Sequence, residues 1–177
     1  MKTSEREFKV IGTRPVRHDG IDKVTGRALY GADHSLPGML HGRVLRSPHA
    51  HARILSIDTS KAEAHPDVMS VATFKDFVTL QSESVAGTEG AATVLDVARN
   101  CLADDKVLYH GHAIAAIAAR TERAAKDALA LIHVEYEVLP SVMNVEDAMQ
   151  EGSPVLHDDM FTVGYDDKPS KASNIAT

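Results

Sequence analysis

The chain has 177 residues and a formal net charge of −6, with 44% hydrophobic, 25% charged and 5% aromatic residues. This length is sufficient for one domain with a buried core, in which alanine and valine take the place of aromatic rings. The negative charge excludes the basic surface that nucleic-acid binding needs, and no run of about 20 apolar residues is present to span a bilayer. The sequence therefore predicts a soluble, cytoplasmic protein.

The first 37 residues lack a regular apolar period. Residues 1–10 are polar and are predicted to form a flexible arm. Glycine recurs too often in residues 11–37 for a helix, which predicts an extended segment that wraps over a body formed elsewhere. Arg14 and Arg17 lie in this segment, and two interpretations stay open for them: contacts to a partner polypeptide, or ordinary exposed arginines.

Two runs with strand composition follow, residues 40–46 and residues 52–58. Pro48 separates them, because proline cannot donate a backbone hydrogen bond and biases the residue before it toward an extended conformation. The sequence predicts a pair of strands that are joined by a tight, basic corner carrying His49 and His51.

Shorter elements are predicted after the strand pair. Ser60 is expected to cap a short helix that Pro66 ends. Residues 67–73 have the composition of a strand, and residues 74–77 resemble the start of a short helix. Residues 81–100 are loosely patterned and are predicted to form a long surface excursion.

The clearest secondary structure lies in the second half of the chain. Residues 113–118 are apolar on both faces, which predicts a strand covered above and below. Thr121 is expected to cap a helix with one buried face, and residues 133–138 alternate as a half-exposed strand. If these two strands are parallel, their connection should be right-handed. Asn144 is predicted to cap a second short helix, which Gly152 follows.

Together these elements predict an α/β (α+β) fold. We expect a single domain with a mixed sheet and packed helices, an extended N-terminal arm and a C-terminal tail. The predicted boundaries are residues 1–10 for the flexible arm, 11–158 for the folded domain and 159–177 for the linker or tail. The last of these is polar and is broken by glycine and proline.

Ten histidines raise the question of a metal site. His49 and His51 lie two residues apart, as do His110 and His112, so that each pair would project from one face of a strand. Zinc takes three or four ligands, and neither pair has an obvious third ligand beside it. We therefore predict histidines at turn ends or interfaces, and assign no metal-binding residue.

Other catalytic patterns are also missing from the sequence. Cys101 is the only cysteine, which excludes a disulfide or a cysteine-bound iron–sulfur cluster formed by this chain alone. It has no local histidine motif and is expected to be a small buried hydrophobic residue. Glycine-rich phosphate loops and the serine hydrolase elbow do not occur. Glu135 and Glu137 form a potential carboxylate pair, but alternation along a half-exposed strand explains them without chemistry.

Four blocks of the sequence occur in an order that is typical of one enzyme family. The most specific block is Arg46-Ser47-Pro48-His49-Ala50-His51-Ala52-Arg53-Ile54. The others are Asp19-Gly20 with Lys23-Val24-Thr25-Gly26, Tyr30, Asp33 and Leu36-Pro37-Gly38; Leu102-Ala103-Asp104-Asp105-Lys106-Val107; and Val134-Glu135-Tyr136-Glu137-Val138-Leu139-Pro140. This set resembles the start of the molybdopterin-binding subunit of the xanthine dehydrogenase and aldehyde oxidase family, and the resemblance covers roughly residues 10–158.

The resemblance implies that residues 11–158 form the α/β hammerhead domain of a molybdenum hydroxylase. Such oxidoreductases act on an aldehyde, an N-heterocycle or an aromatic thioester. The hammerhead domain would support the active site, while the molybdenum–pterin cofactor would lie on the remainder of the molybdopterin-binding subunit. An iron–sulfur subunit, with or without an FAD subunit, would complete the enzyme. The chain would be a fragment or a naturally separate small subunit.

No catalytic or cofactor-binding residue follows from the resemblance, because the pterin loops and the active-site glutamate of the family have no counterpart in this sequence. Two departures from the family pattern occur. His112-Ala113 follows Gly111, where the family has an acidic or amide residue and then proline, and residues 81–100 have no family match. The isolated chain is predicted to be colourless and inactive toward aldehydes and purines.

Two alternatives to this interpretation stay open. The first is a non-catalytic scaffold or assembly module that uses the same domain. The second is a small histidine-dependent metalloenzyme, which stoichiometric bound zinc or iron would reveal. A neighbouring reading frame that encodes pterin loops and an active-site glutamate would favour the hydroxylase over the scaffold.

Overall fold

The computed structural model of the chain describes residues 8–77, 94–158 and 172–175. The fold divides into two compact units, Met1–Met39 and Leu40–Thr177. In the described residues, no helix combines the length and the apolar character that a membrane span requires.

The N-terminal unit contains a short helix where the sequence predicted only extended chain. Helix α1 spans Gly20–Val24, and a 3-10 turn follows at Gly31–Asp33. The Lys23 ammonium lies 2.8 Å from the Asp19 carboxylate at the start of α1, and these opposite charges stabilise the single turn. Gly26, with φ +72°, ends the helix in a conformation that other residues rarely adopt. The prediction was wrong here because frequent glycines do not exclude a single helical turn.

The larger unit contains six strands and four α-helices among its described residues. In chain order these are β1 (His41–Arg46), β2 (Ala52–Asp58), α2 (Ser60–Glu63), β3 (Val68–Thr73), α3 (Val94–Cys101), β4 (Lys106–Val107), β5 (Ala113–Ala119), α4 (Glu122–Leu129), β6 (His133–Val138) and α5 (Val145–Ala148). A 3-10 turn at Phe74–Asp76 follows β3, as the sequence predicted. The α+β class is confirmed.

The strands form two antiparallel sheets instead of one mixed sheet. The first has the order β1-β5-β3 and the second has the order β4-β2-β6. Strands β1 and β2, which the predicted corner joins, therefore lie in different sheets. β1 pairs with β5, with Val44 opposite Ala116. Strands β5 and β6 are likewise divided between the sheets, so they do not form a parallel unit.

Strand β5 contributes to both hydrophobic cores. On one face, Ala115 and Ile117 pack in a core with Ala125 and Ala128 of helix α4. On the other face, Ile114 packs with the second sheet, beside residues such as Val107. The expectation of a strand covered above and below is confirmed, and small alanine side chains let the helix approach the sheet closely.

Three local predictions need correction. Helix α3 occupies residues 94–101, which lie partly in the predicted surface excursion; residues 78–93 lie outside the described residues. Ala98 is the buried residue of α3, and Cys101 at its end is exposed, not buried. Helix α2 starts one residue earlier than predicted: Ser60 is its first residue instead of its N-cap, and the Asp58 carboxylate accepts from the Ser60 N–H at 3.0 Å.

Candidate functional site: the histidine corner

The most specific sequence block forms a corner that passes the chain from one sheet to the other. Ser47 follows β1 directly and is 2% exposed. Its hydroxyl accepts a hydrogen bond from the His49 N–H at 2.9 Å and donates to the His49 carbonyl at 3.1 Å. This serine turn redirects the chain, so that β2 can start at Ala52 in the second sheet. We call residues 46–51 and 108–112 together the histidine corner.

Residues 108–112 are held against this turn by backbone hydrogen bonds. The Ser47 N–H donates to the His112 carbonyl at 2.9 Å, and the Gly111 N–H donates to the Ser47 carbonyl at 3.0 Å. Gly111 has φ +86°, which makes glycine the suitable residue at this turn. The Arg46 guanidinium adds a hydrogen bond to the Gly111 carbonyl at 2.9 Å. These bonds fix the turn after β1 to the segment that leads into β5.

His112 uses both of its ring nitrogens inside the protein. The residue is 1% exposed, Nε2 donates to the Arg99 carbonyl at 2.8 Å, and Nδ1 accepts from the Leu108 N–H at 3.3 Å. Its ring stacks on that of Tyr109 with centroids 4.4 Å apart. Burial lowers the pKa of His112, which favours the neutral ring that these two bonds require. His112 therefore supplies polar contacts of this corner itself.

His51 and His49 hold the other side of the corner. His51 is 4% exposed, and its Nδ1 lies 2.6 Å from the Pro140 carbonyl, so Nδ1 carries the hydrogen. The Leu139 N–H donates to the His51 carbonyl at 3.0 Å, which binds the end of β6 to the corner. The half-buried ring of His49 packs edge-on against Tyr136, with centroids 4.9 Å apart. Burial raises the pKa of the Tyr136 hydroxyl.

Two clefts open beside the corner. The first has a volume of about 200 Å³ and includes Lys106, His112 and Asp158 in its lining. The Lys106 ammonium, on a side chain that is 9% exposed, lies 2.7 Å from the Asp158 carboxylate, and this hydrogen bond lowers the pKa of Asp158. The second cleft, of about 180 Å³, is lined in part by His51 and His110. The structure therefore brings one member of each histidine pair to the second cleft.

The arrangement is suited to holding segments in place. In the described ranges 8–77, 94–158 and 172–175, no three His, Cys, Asp or Glu side chains come together as a metal ion would require. The Glu135 carboxylate accepts from the Ser56 hydroxyl at 2.9 Å, and the Glu137 carboxylate lies 3.3 Å from the Arg53 guanidinium. Both glutamates of the potential carboxylate pair therefore contact side chains of the neighbouring strand β2. The polar side chains of the corner instead bond to backbone groups. Those of Arg46 and His51 reach carbonyls 65 and 89 residues away along the chain, whereas the Ser47 hydroxyl bonds to the backbone of His49.

The comparison with family models decides the assignment. Residues 25–140 match the model described as aldehyde oxidase and xanthine dehydrogenase, a/b hammerhead domain. The chain belongs to this family. The match includes the histidine corner, both sheets and helices α2 to α4, which confirms the resemblance found in the sequence.

Curated relatives and solved structures agree with this assignment. The chain is 38% identical over 154 residues to the nicotinate dehydrogenase large molybdopterin subunit of Eubacterium barkeri, covering 87% of the chain and 34% of the relative. It is 38% identical to the carbon monoxide dehydrogenase large chain of Afipia carboxidovorans, covering 89% and 19%. Quinoline 2-oxidoreductase from Pseudomonas putida 86 superposes with a TM-score of 0.69 at 39% identity, covering 85% and 19%. The chain thus spans 34% or less of the length of these proteins.

Sequence reasoning located the corner but missed two of its contributors. Ser47 joins β1 to the turn, and a serine two residues before His49 is a recognisable signal for such a bond. The Pro140 carbonyl accepts a hydrogen bond from His51 Nδ1. No local signal in the sequence predicts this bond, because Pro140 lies 89 residues away.

Proposed function

We propose that this chain forms the N-terminal hammerhead part of the large subunit of a molybdenum hydroxylase, where it supports the active-site region and does not perform the chemistry. The observation that carries this proposal is the use of the polar side chains at the histidine corner. Arg46, Ser47, His51 and His112 are all bonded to backbone groups. Side chains engaged in this way hold a fold in place, whereas a general acid or base must reach its substrate.

The proposed complete enzyme is a cytoplasmic assembly. Its molybdenum–pterin cofactor would lie on the remainder of the molybdopterin-binding subunit, with iron–sulfur clusters, and in some assemblies FAD, on partner subunits. The names of the relatives support this arrangement, since one is a large molybdopterin subunit and another is a large chain. The chain itself is proposed to hold no part of that cofactor, because the side chains of Arg46, His51 and His112 at the histidine corner bond to backbone carbonyls of the chain. The substrate would be an aldehyde, an N-heterocycle or an aromatic thioester.

Co-purification tests this proposal. A tag on the chain in its native host should recover polypeptide with the pterin-binding part of the large subunit, together with an iron–sulfur subunit. Mass spectrometry identifies both, and the visible spectrum reports the clusters. The purified assembly should oxidise or reduce a member of the proposed substrate classes with an artificial electron acceptor.

Another outcome of the co-purification would favour a different role for the chain. Recovery of the chain with proteins unrelated to molybdenum hydroxylases would indicate a scaffold or assembly module. Turnover of an aldehyde or purine by the 177-residue chain without added subunits would contradict the supporting role.

A further inference from the structure

The N-terminal unit exposes every large apolar side chain in its described part, residues 8–39. None of these residues is buried. The exposed fractions reach 87% at Val16 and 85% at Val24. The full set is Phe8, Val10, Ile11, Val16, Ile21, Val24, Leu29, Tyr30, Leu36 and Met39. Single exposed apolar residues are ordinary, but a whole segment of this kind marks an interaction surface.

This segment nevertheless has a defined local shape, which polar contacts provide. The Asp19 carboxylate binds Arg17 at 2.5 Å and Lys23 at 2.8 Å, and these cations lower the pKa of Asp19. The Tyr30 N–H donates to the Asp33 carboxylate at 2.9 Å. All of these bonds join residues close in sequence and bury no apolar surface. A partner that covers the apolar side chains would therefore supply the hydrophobic stabilisation that the segment lacks.

The charges of the segment indicate the chemistry of that partner. Residues 8–39 contain five lysines and arginines against three aspartates, although the whole chain has a net charge of −6. Asp19, Asp22 and Asp33 are each bonded within the segment. Lys9 and Arg14 have no ion-pair partner among the described residues 8–77, 94–158 and 172–175. An acidic rim would complement these two cations.

We propose that residues 8–39 dock onto an apolar, acid-rimmed surface of the remaining part of the large subunit. This inference rests on the proposed function and names the surface through which the chain joins its partner. The carbon monoxide dehydrogenase large chain aligns with 89% of this chain, so the alignment includes part of the N-terminal unit, and this chain spans only 19% of that relative. That relative therefore contains both the matching segment and a much longer polypeptide. A second copy of the chain fits less well, because a symmetric contact would bring like cations together.

Photo-crosslinking in the purified holoenzyme tests the docking surface. A benzophenone amino acid replaces Val16, and in a matched sample it replaces Arg123, whose side chain is 91% exposed on helix α4. The Val16 probe should crosslink to the large-subunit polypeptide beyond the hammerhead domain, near acidic residues. The Arg123 probe should crosslink there at least about tenfold less, since its polar helix face is exposed.

A charge-reversal pair provides the second measurement. Lys9→Glu combined with Arg14→Glu should speed proteolytic cleavage within residues 8–39 of the holoenzyme by about tenfold or more, because repulsion from the acidic rim releases the segment. Lys61→Glu combined with Lys126→Glu applies the same charge change to the larger unit and should leave that rate unchanged. Thermal unfolding of each variant confirms that the larger unit stays folded.

The outcomes separate the two proposals. If a hydroxylase assembly is recovered but the Val16 probe crosslinks to a second copy of residues 8–39 or to residues 40–177, the docking proposal is overturned and the proposed function stands. Equal proteolysis of the two charge variants also overturns it. If the tagged chain yields no larger hydroxylase assembly, the proposed function itself fails, and the docking proposal fails with it.

Discussion

Replacing His112 by phenylalanine measures how strongly the histidine corner stabilises the larger unit. Phenylalanine keeps a ring beside Tyr109, whose centroid lies 4.4 Å from that of His112, but removes both hydrogen bonds. The Arg99 carbonyl loses its donor at 2.8 Å, and the Leu108 N–H loses its acceptor at 3.3 Å. A buried group deprived of its partner costs about 1–3 kcal/mol. Because the longer bond is the weaker one, we expect the free energy of unfolding to fall by roughly 2–4 kcal/mol.

Urea denaturation followed by circular dichroism at about pH 7.5 measures this loss. His110→Phe is the matched control, because His110 is exposed on the same turn and its replacement should change the free energy of unfolding by no more than about 0.5 kcal/mol. If His112→Phe also costs less than about 0.5 kcal/mol, the hydrogen bonds of the corner do not stabilise the fold and the reasoning is refuted.

The difference in stability between wild type and His112→Phe should also depend on pH. Burial lowers the pKa of His112 below its usual 6.5, so the unfolded chain takes up a proton at this ring before the folded chain does. The stabilisation is complete above about pH 6.5 and is lost as the pH falls toward the lowered pKa. The difference in unfolding free energy between wild type and His112→Phe should therefore shrink below pH 6.5, by at most about 1.4 kcal/mol per pH unit. A difference that stays constant or grows between about pH 7.5 and 5 would contradict the neutral buried ring.

Three further substitutions test the larger unit, each by urea denaturation. Thr121→Ala removes the acceptor of the Ala124 N–H at 3.1 Å and should cost about 1 kcal/mol; no measurable loss would contradict the cap. Ala125→Leu overfills a site that is 0% exposed and should cost about 1–3 kcal/mol, so a neutral result would show a looser core. Arg53→Ala breaks the exposed pair with Glu137 and should cost less than about 1 kcal/mol; a larger loss would reveal a structural role for this pair.

Local features of the fold were predictable because their signals lie in neighbouring residues. Thr121 caps α4, and Asn144 caps α5 by accepting from the Asp147 N–H at 2.8 Å, as predicted from side chains that compete for the first N–H groups of a helix. The apolar run 113–118 also predicted its own burial, since a strand without a polar face needs cover on both sides.

The division into two sheets could not be predicted in this way. Strand β1 pairs with β5, so that Val44 lies opposite Ala116, and alternation within a strand does not identify such a distant partner. The sequence predicted a corner between the two runs beside Pro48, but it did not predict that the Ser47 turn sends them into different sheets. Helix α3 was missed because its pattern covers only eight residues beside a loosely patterned stretch.

The histidine corner shows the same limit at the candidate site. The motif located His51 in the sequence, but its contact to the Pro140 carbonyl depends on how β6 ends beside β2. The spacing of His110 and His112 predicted that both would project from one face of a strand. The structure instead buries His112 and leaves His110 exposed, because the turn at Gly111 separates them.

Molybdenum analysis of the assembly purified through a tag on this chain tests the central claim most directly. We expect molybdenum in a constant ratio to the chain across the eluted peak, together with polypeptide of the large subunit beyond the hammerhead domain. A folded chain that elutes from its native host without molybdenum, under conditions in which other molybdenum enzymes of that host keep theirs, would contradict the assignment to a molybdenum hydroxylase assembly.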